Sequence, residues 1–203
     1  MEVSEGRGGD PVDGSGDVRE NLLSTAVGMF SEKGYSGTSI RDIAKVHGVS
    51  LSNIYYHFGN KDGLWREILD RSVRMLPDRL RAAADLAETP RAQLEALVRA
   101  HLAMAAEYRR ELLMLLAQTT ELAEDVGKAT AEIQRDVLGI YSEVLGRLSA
   151  EGGLNSDHVR VTAFNLLGVI NWHLRWYRPD GPLSEEAVHQ EIVDFIMRGA
   201  CRT

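Results

Sequence analysis

Residues Thr38 to Phe58 read TSIRDIAKVHGVSLSNIYYHF, two short helical patterns separated by His47-Gly48-Val49. In the first, from Ser39 to Val46, the apolar residues Ile40, Ile43 and Ala44 recur on one face, which predicts a helix laid against a core. Thr38 stands where a hydroxyl would cap the first N–H groups of that helix. Gly48 supplies the positive φ that ends it and reverses the chain, and Val49 fills the gap between the two helices. Ser50 then caps a second helix running to Phe58, with Ile54 and Phe58 facing inward. Leu51, Ser52, Asn53, Tyr55, Tyr56 and His57 are left for its flank and outer face.

A hairpin of this kind serves either as part of an all-α core or as a helix-turn-helix that places its second helix in the major groove of DNA. In the second case, residues in the N-terminal half of the helix read base edges while hydroxyls, amides and cations fix the register on phosphates. Ser52, Asn53 and Tyr56 suit the first task, and Thr38, Tyr55, His57 and Lys61 the second. Arg41, Ser50 and Leu51 complete the expected DNA surface.

The stretch from Asn21 to Leu69 resembles the DNA-binding domain of the TetR (tetracycline repressor) family of bacterial regulators. The resemblance is carried by Ala26, Phe30, Gly34, Tyr35, Thr38, Ser39 and Ile40, in the pattern A-x-x-x-F-x-x-x-G-Y-x-x-T-S-I. It continues through Ile43-Ala44, Gly48-Val49-Ser50, Tyr55-Tyr56-His57-Phe58 and Lys61-Asp62-Gly63-Leu64, and covers about a quarter of the chain. It implies an all-α protein with an N-terminal three-helix DNA-binding domain and a C-terminal helical domain for ligand binding and dimerisation. The expected organisation is an acidic disordered tail over residues 1–16, the helix-turn-helix domain over 17–62 and the body over 63–203. The partners so implied are an operator in double-stranded DNA, a small-molecule effector and a second copy of the chain.

Composition agrees with that class. A chain of 203 residues, 44% hydrophobic and 26% charged, can bury a core and fits one or two domains. Its single cysteine, Cys201, precludes an intramolecular disulfide and suits a reducing compartment. No apolar run reaches membrane-spanning length, and MEVSEGRGGDPVDGSGD lacks the basic and apolar regions of a signal peptide, so a cytoplasmic protein without a membrane partner is expected. The net charge of −7 argues against a nonspecific nucleic-acid coat. That charge is unevenly placed: residues 1–17 carry five acids against Arg7, a local −4, whereas Arg41, Lys45 and Lys61 against Asp42 give Tyr35 to Lys61 a local +2. Family members with a basic N-terminal arm reach the minor groove; this acidic arm would be repelled by phosphate, leaving affinity to the helices and these cations, with Arg19 as a helper.

Asp17 and Glu20 form an acidic variant of a capping box for a first helix that ends at Gly34. Its stripe of Leu22, Leu23, Ala26, Val27 and Phe30 faces the helix-turn-helix. Asn60 caps the next pattern, which continues to Leu86 across Pro77; the proline either bends one long helix as a hinge or marks a helix end and a new start. From Thr89 the chain is helical almost throughout. Pro90 opens one helix, LLMLLAQTTELAE follows Arg109-Arg110-Glu111, Glu124 to Ser149 is amphipathic, and Glu151-Gly152-Gly153 turns. A helix from Asp157 to Tyr177, the Pro179-Asp180-Gly181-Pro182 loop and a helix capped by Ser184 complete the chain. The last two helices are apolar on more than one face, as a symmetric bundle interface requires.

Trp172 and Trp176 lie four apart beside Arg175 in NWHLRWYRPDGPLSEEAV, which starts at Asn171; such a pair serves core or dimer packing. The run is also similar to the C-terminal motif of TetR-like regulators that respond to acyl-coenzyme A thioesters, including repressors of steroid and fatty-acid breakdown. That similarity implies an apolar cavity lined by His101, Met104, Tyr108, Phe164, Trp172 and Trp176, with Arg175 or Arg178 meeting the coenzyme phosphates. Catalysis is not expected: the six histidines include no H-E-x-x-H pair, there is no C-x-x-C, and Gly6, Gly8 and Gly9 follow no strand. His101 and His173 read as buried core groups, so neither a metal nor another cofactor is expected. The resulting expectation is a repressor released from a palindromic operator by a hydrophobic effector. Its rivals are a ligand-independent DNA-binding dimer and a helical small-molecule carrier that has lost DNA binding.

Overall fold

A computed structural model describes residues 14–116 and 124–202. Those residues are all-α, with an N-terminal helix-turn-helix head and a C-terminal helical body. The helices are α1 (Gly14–Lys33), α2 (Ile40–His47), α3 (Leu51–Phe58), α4 (Lys61–Ser72), α5 (Leu76–Asp85), α6 (Pro90–Glu107), α7 (Arg109–Leu116), α8 (Glu124–Ala150), α9 (Val159–Trp176) and α10 (Glu185–Ala200). An isolated antiparallel bridge between Leu154 and Cys201 ties the connection between α8 and α9 to the residue after α10.

In the head, Leu22, Leu23, Ala26, Val27 and Phe30 of α1 are all buried, as their spacing demands. The helix opens at Gly14, so Asp17 falls inside it and does not cap it, because a capping residue must stand outside the helical backbone. The expected tail therefore loses residues 14–16 to α1, and its remainder lies outside the described residues. Gly34 ends α1 at φ 72°, its N–H donating to the Phe30 carbonyl at 3.0 Å. Gly48 closes α2 at φ 77° with its N–H on the Ala44 carbonyl, the left-handed turn that the helix-turn-helix needs.

The cap of α2 is Ser39, whose Oγ accepts from the Asp42 N–H at 3.1 Å. Thr38 does not cap it: that side chain is 1% exposed and its hydroxyl is directed at the Met29 and Gly34 carbonyls, 3.1 and 2.9 Å away. It serves instead to pin the turn after α1. Ser50 caps α3 through the Asn53 N–H, and Asn60 caps α4 through the Gly63 N–H at 2.7 Å. Gly63 is required there, since a Cβ would stand 2.0 Å from the Phe58 carbonyl oxygen. Trp65 of α4 is fully buried against Phe30 and Tyr35, with ring centroids 5.2 and 5.5 Å apart, and this aromatic cluster fixes the head on α4.

Pro77 does not bend a long helix. The chain leaves helical geometry after Ser72, turns through Val73–Met75 with the Leu76 N–H on the Val73 carbonyl, and restarts as α5 with Pro77 in the first turn. There the missing proline N–H leaves no helical bond unmade. In the body, α5, α6, α8 and α9 pack together and α10 covers α6 and α9. The break before α7 falls at Tyr108, so Arg109-Arg110-Glu111 begins that helix; the rest of LLMLLAQTTELAE after Leu116 lies outside the described residues as far as residue 123. The helix expected from Asp157 starts at Val159. Its C-terminal carbonyls are taken up by Arg109 of α7, whose guanidinium donates to Leu174 O and Tyr177 O at 2.9 and 2.7 Å.

Candidate nucleic-acid interface and ligand cavity

Burial of Ile54 and Phe58 turns the rest of α3 outward. Tyr56 is 84% exposed, Ser52 and Tyr55 are exposed, and Leu51, Asn53 and His57 are half-buried on the flanks. Tyr56 and His57 stack edge to face with centroids 5.2 Å apart, which restrains the tyrosine. Ser50 is exposed and its Oγ accepts the Asn53 N–H, leaving the hydroxyl proton to donate outward. Arg41 and Lys45 are exposed on α2. Of the expected DNA residues Thr38 is withdrawn, because a buried hydroxyl directed at two carbonyls cannot meet a phosphate.

Lys61 sits at the start of α4 with its ammonium 3.9 Å from the Tyr35 ring centroid, and the Tyr35 hydroxyl donates to Asp62 Oδ1 at 2.7 Å. Arg19 is engaged elsewhere, paired with Glu67 at 2.7 Å and lying over the Phe58 ring, so it is not a helper on the DNA side. Asp42 is held below the usual carboxylate range by the Ser39 hydroxyl, which keeps a negative charge at the start of α2 beside Arg41.

The body holds an open-sided cavity of about 600 Å³ among α6, α7, α8 and α9, with Leu76 of α5 also in its lining. Its walls are Leu112, Leu115 and Leu116 of α7, Val137 and Leu138 of α8, and Phe164 and Leu167 of α9; His101, Gln134, Arg135, Arg160 and Asn171 supply the polar groups. Two residues of the expected lining, His101 and Phe164, are therefore brought together. Met104 is buried elsewhere, its Sδ 2.8 Å from an Arg79 nitrogen. Tyr108 faces a separate cleft of about 420 Å³ between α1, α4 and α7. Trp172 and Trp176 are 64% and 50% exposed on another face of α9, and Arg175 and Arg178 are exposed outside the cavity.

Helical phase explains the correction. Arg160, Phe164, Leu167, Gly168 and Asn171 recur at three- and four-residue steps and share the cavity face of α9, whereas Trp172 and Trp176 continue the stripe begun by Val161. Of the cations that sequence reasoning missed, Arg160 was legible in that periodicity, and Arg135 in the matching series Ala131, Gln134, Arg135 and Leu138 on α8. With Phe195 of α10, 64% exposed, the tryptophan stripe forms an apolar surface of the kind that marks an interaction site.

His101 is buried at the cavity wall, its Nδ1 3.3 Å from the Tyr141 hydroxyl. Burial, with His173 nearby, lowers it to about 4 and keeps it neutral. Burial also lowers His173 and His189, whose rings meet edge to face at 5.4 Å between α9 and α10. Among the described residues no cluster of three potential metal ligands is present and no helix is long and apolar enough to cross a membrane.

Comparison with known proteins matches residues 22–68 to the model of bacterial regulatory proteins of the tetR family, and residues 87–200 to the tetracyclin repressor-like C-terminal domain. The HTH-type transcriptional repressor KstR2 of Mycobacterium tuberculosis is 30% identical over 190 residues, covering 89% of this chain and 92% of the relative. The structure of that organism's ketosteroid transcriptional regulator KstR2 superposes with a TM-score of 0.79 at 26% identity, covering 91% of this chain and 95% of the other. AibR in complex with isovaleryl coenzyme A and operator DNA shares the fold, with a TM-score of 0.78 at 21% identity over 90% of this chain and 99% of that one.

Proposed function

The chain belongs to the TetR family of bacterial regulatory proteins, and from that premise we propose that it is a transcriptional repressor, released from its operator by an acyl-coenzyme A thioester bound in the body. The observation that carries DNA binding is the outward face of α3, where Ser52, Tyr55 and Tyr56 are exposed while Ile54 and Phe58 anchor the helix. The head over 17–62 binds DNA and the body over 63–203 binds ligand and dimerises.

Two copies meet through the Trp172, Trp176 and Phe195 surface, which places two α3 helices in successive major grooves, about 34–36 Å apart on one side of a palindromic operator. Tyr56, Ser52 and Asn53 read bases; Arg41, Ser50, Leu51, Tyr55, His57 and Lys61 position the head on the backbone.

The effector class rests on the cavity. Its apolar depth takes the acyl portion, and Arg135 and Arg160, rather than Arg175 and Arg178, meet the phosphates. AibR, whose structure holds isovaleryl coenzyme A, supports the same class. Ligand that binds the cavity only when α7 and α4 are shifted would change the separation of the heads, and this differential affinity is what releases the operator. The test is selection of bound duplexes from a random library, followed by titration of the selected duplex with acyl-coenzyme A thioesters of graded chain length. A palindromic consensus released by one of them supports the proposal; no enriched sequence overturns it.

A further inference from the structure

His101 sets a polar requirement on whatever fills the body cavity. The Tyr141 hydroxyl has one proton and two neighbours, the Leu97 carbonyl at 3.2 Å and His101 Nδ1 at 3.3 Å. A carbonyl can only accept, so both contacts are hydrogen bonds only if the hydroxyl donates to Leu97 and accepts from an Nδ1–H. The reverse arrangement, with the tyrosine donating to the imidazole, would set two acceptor oxygens against each other inside the core, where an unmade bond is costly. Tyr141 is fully buried and burial also raises its hydroxyl, so it stays protonated and the arrangement holds near neutral pH. Since the neutral ring carries one proton and Nδ1 has it, Nε2 is a bare acceptor.

Resting on the assignment of the cavity as the effector site, we infer that His101 is its specificity-determining residue, and that its Nε2 selects ligands carrying a hydroxyl or N–H donor at their buried end. Of the polar residues that line the cavity only His101 is buried, Gln134, Arg135 and Arg160 being exposed and Asn171 half-buried, and Leu112, Leu115, Val137 and Leu167 offer such a donor nothing but hydrocarbon. A ligand with a donor there gains a bond; a ligand with only ether or methyl groups strands the imidazole lone pair.

The experiment uses full-length protein with ¹⁵N-labelled histidine and two neutral probes matched in length, 1-decanol and 1-methoxynonane. His101→Gln identifies the His101 signals. The expected free-protein spectrum has the proton on Nδ1 and a bare Nε2, and 1-decanol, not the ether, shifts the Nε2 resonance. Decanol is expected to bind about tenfold more tightly than the ether, an advantage of one ordinary hydrogen bond. His101→Phe should abolish that preference while still binding both probes. Tyr141→Phe, which unlocks the tautomer, should reduce it. A proton on Nε2 in the free protein, or equal binding of the two probes, overturns the inference and leaves the cavity intact. Failure of both probes to bind overturns the cavity assignment and the inference with it.

Discussion

The Tyr35 hydroxyl donates to Asp62 Oδ1 across 2.7 Å, and the ammonium of Lys61 rests 3.9 Å from the centre of the same ring. One side chain in the turn after α1 thus holds both Asp62 in the first turn of α4 and the cation that opens that helix. A charge-assisted bond of this kind, partly buried, contributes about 1–2 kcal/mol. Tyr35→Phe should lower the unfolding free energy by that amount, read as a lower urea midpoint, while leaving the ring platform in place. An unchanged midpoint would mean that the aromatic cluster with Trp65 alone sets the geometry.

Tyr56→Ala and Lys61→Ala should each weaken operator binding. Tyr56 is 84% exposed, so its removal should leave the thermal midpoint unchanged and relax preference at one base position. Lys61→Ala should weaken binding evenly across sequences and flatten the dependence of log affinity on log salt by about one unit. Fluorescence anisotropy at several salt concentrations reads both effects; wild-type affinity in both variants would exclude this docking.

Trp172→Glu places a charge in the middle of the exposed apolar stripe of α9. If that stripe is the dimer contact, a carboxylate desolvated there costs about 2–4 kcal/mol, enough to produce monomers at micromolar concentration. Operator affinity should fall with it by about a hundredfold or more, because the second head no longer binds as part of the same molecule. Sedimentation of the variant as a dimer would exclude that surface.

Acidification should destabilise the fold before any carboxylate is reached. In the native state His101 is lowered to about 4 from 6.5, so between those values the unfolded chain holds a proton that the native chain lacks. Stability is therefore greatest above 6.5 and falls as the pH drops, by about 2 kcal/mol at pH 5 from this residue alone. His173 and His189 are also lowered by burial and act in the same direction. Urea unfolding across this window should show the loss, and His101→Gln should make the slope shallower.

The head was legible because its signals are local. Ser50, Asn60, Gly34 and Gly48 each act within a few residues of chain, and each does what its position predicts. Thr38 misled because the threonine and the serine beside it are both cap formers, and only the packing of Met29 and Gly34 decides which one turns inward. The apolar excess of α9 was equally plain, but a helix with two hydrophobic faces does not announce which one meets a cavity. That depends on α7 and α8, whose placement is a long-range matter. The tryptophans drew attention by size while the smaller Arg160–Phe164–Asn171 series lined the cavity. Pro77 was ambiguous for a similar reason: the turn at Val73–Met75 lacks a glycine or a polar cap to mark it.

Eight-residue α7 touches α1 and α4 of the head side, lends Leu112, Leu115 and Leu116 to the cavity, and through Arg109 closes the end of α9 beside the tryptophan surface. Such sharing constrains how a lineage of these proteins can diverge. If the cavity takes the effector and α9 carries the dimer surface, as proposed above, a change in α7 that suits a new effector also alters the seating of the head and the helix that meets the second copy, so new chemical responses reached through α7 come with altered promoter occupancy. The other walls are not exempt: α8 also packs on α4 and α9 carries the tryptophan stripe, so each of these walls of the cavity is tied to a second surface of the molecule.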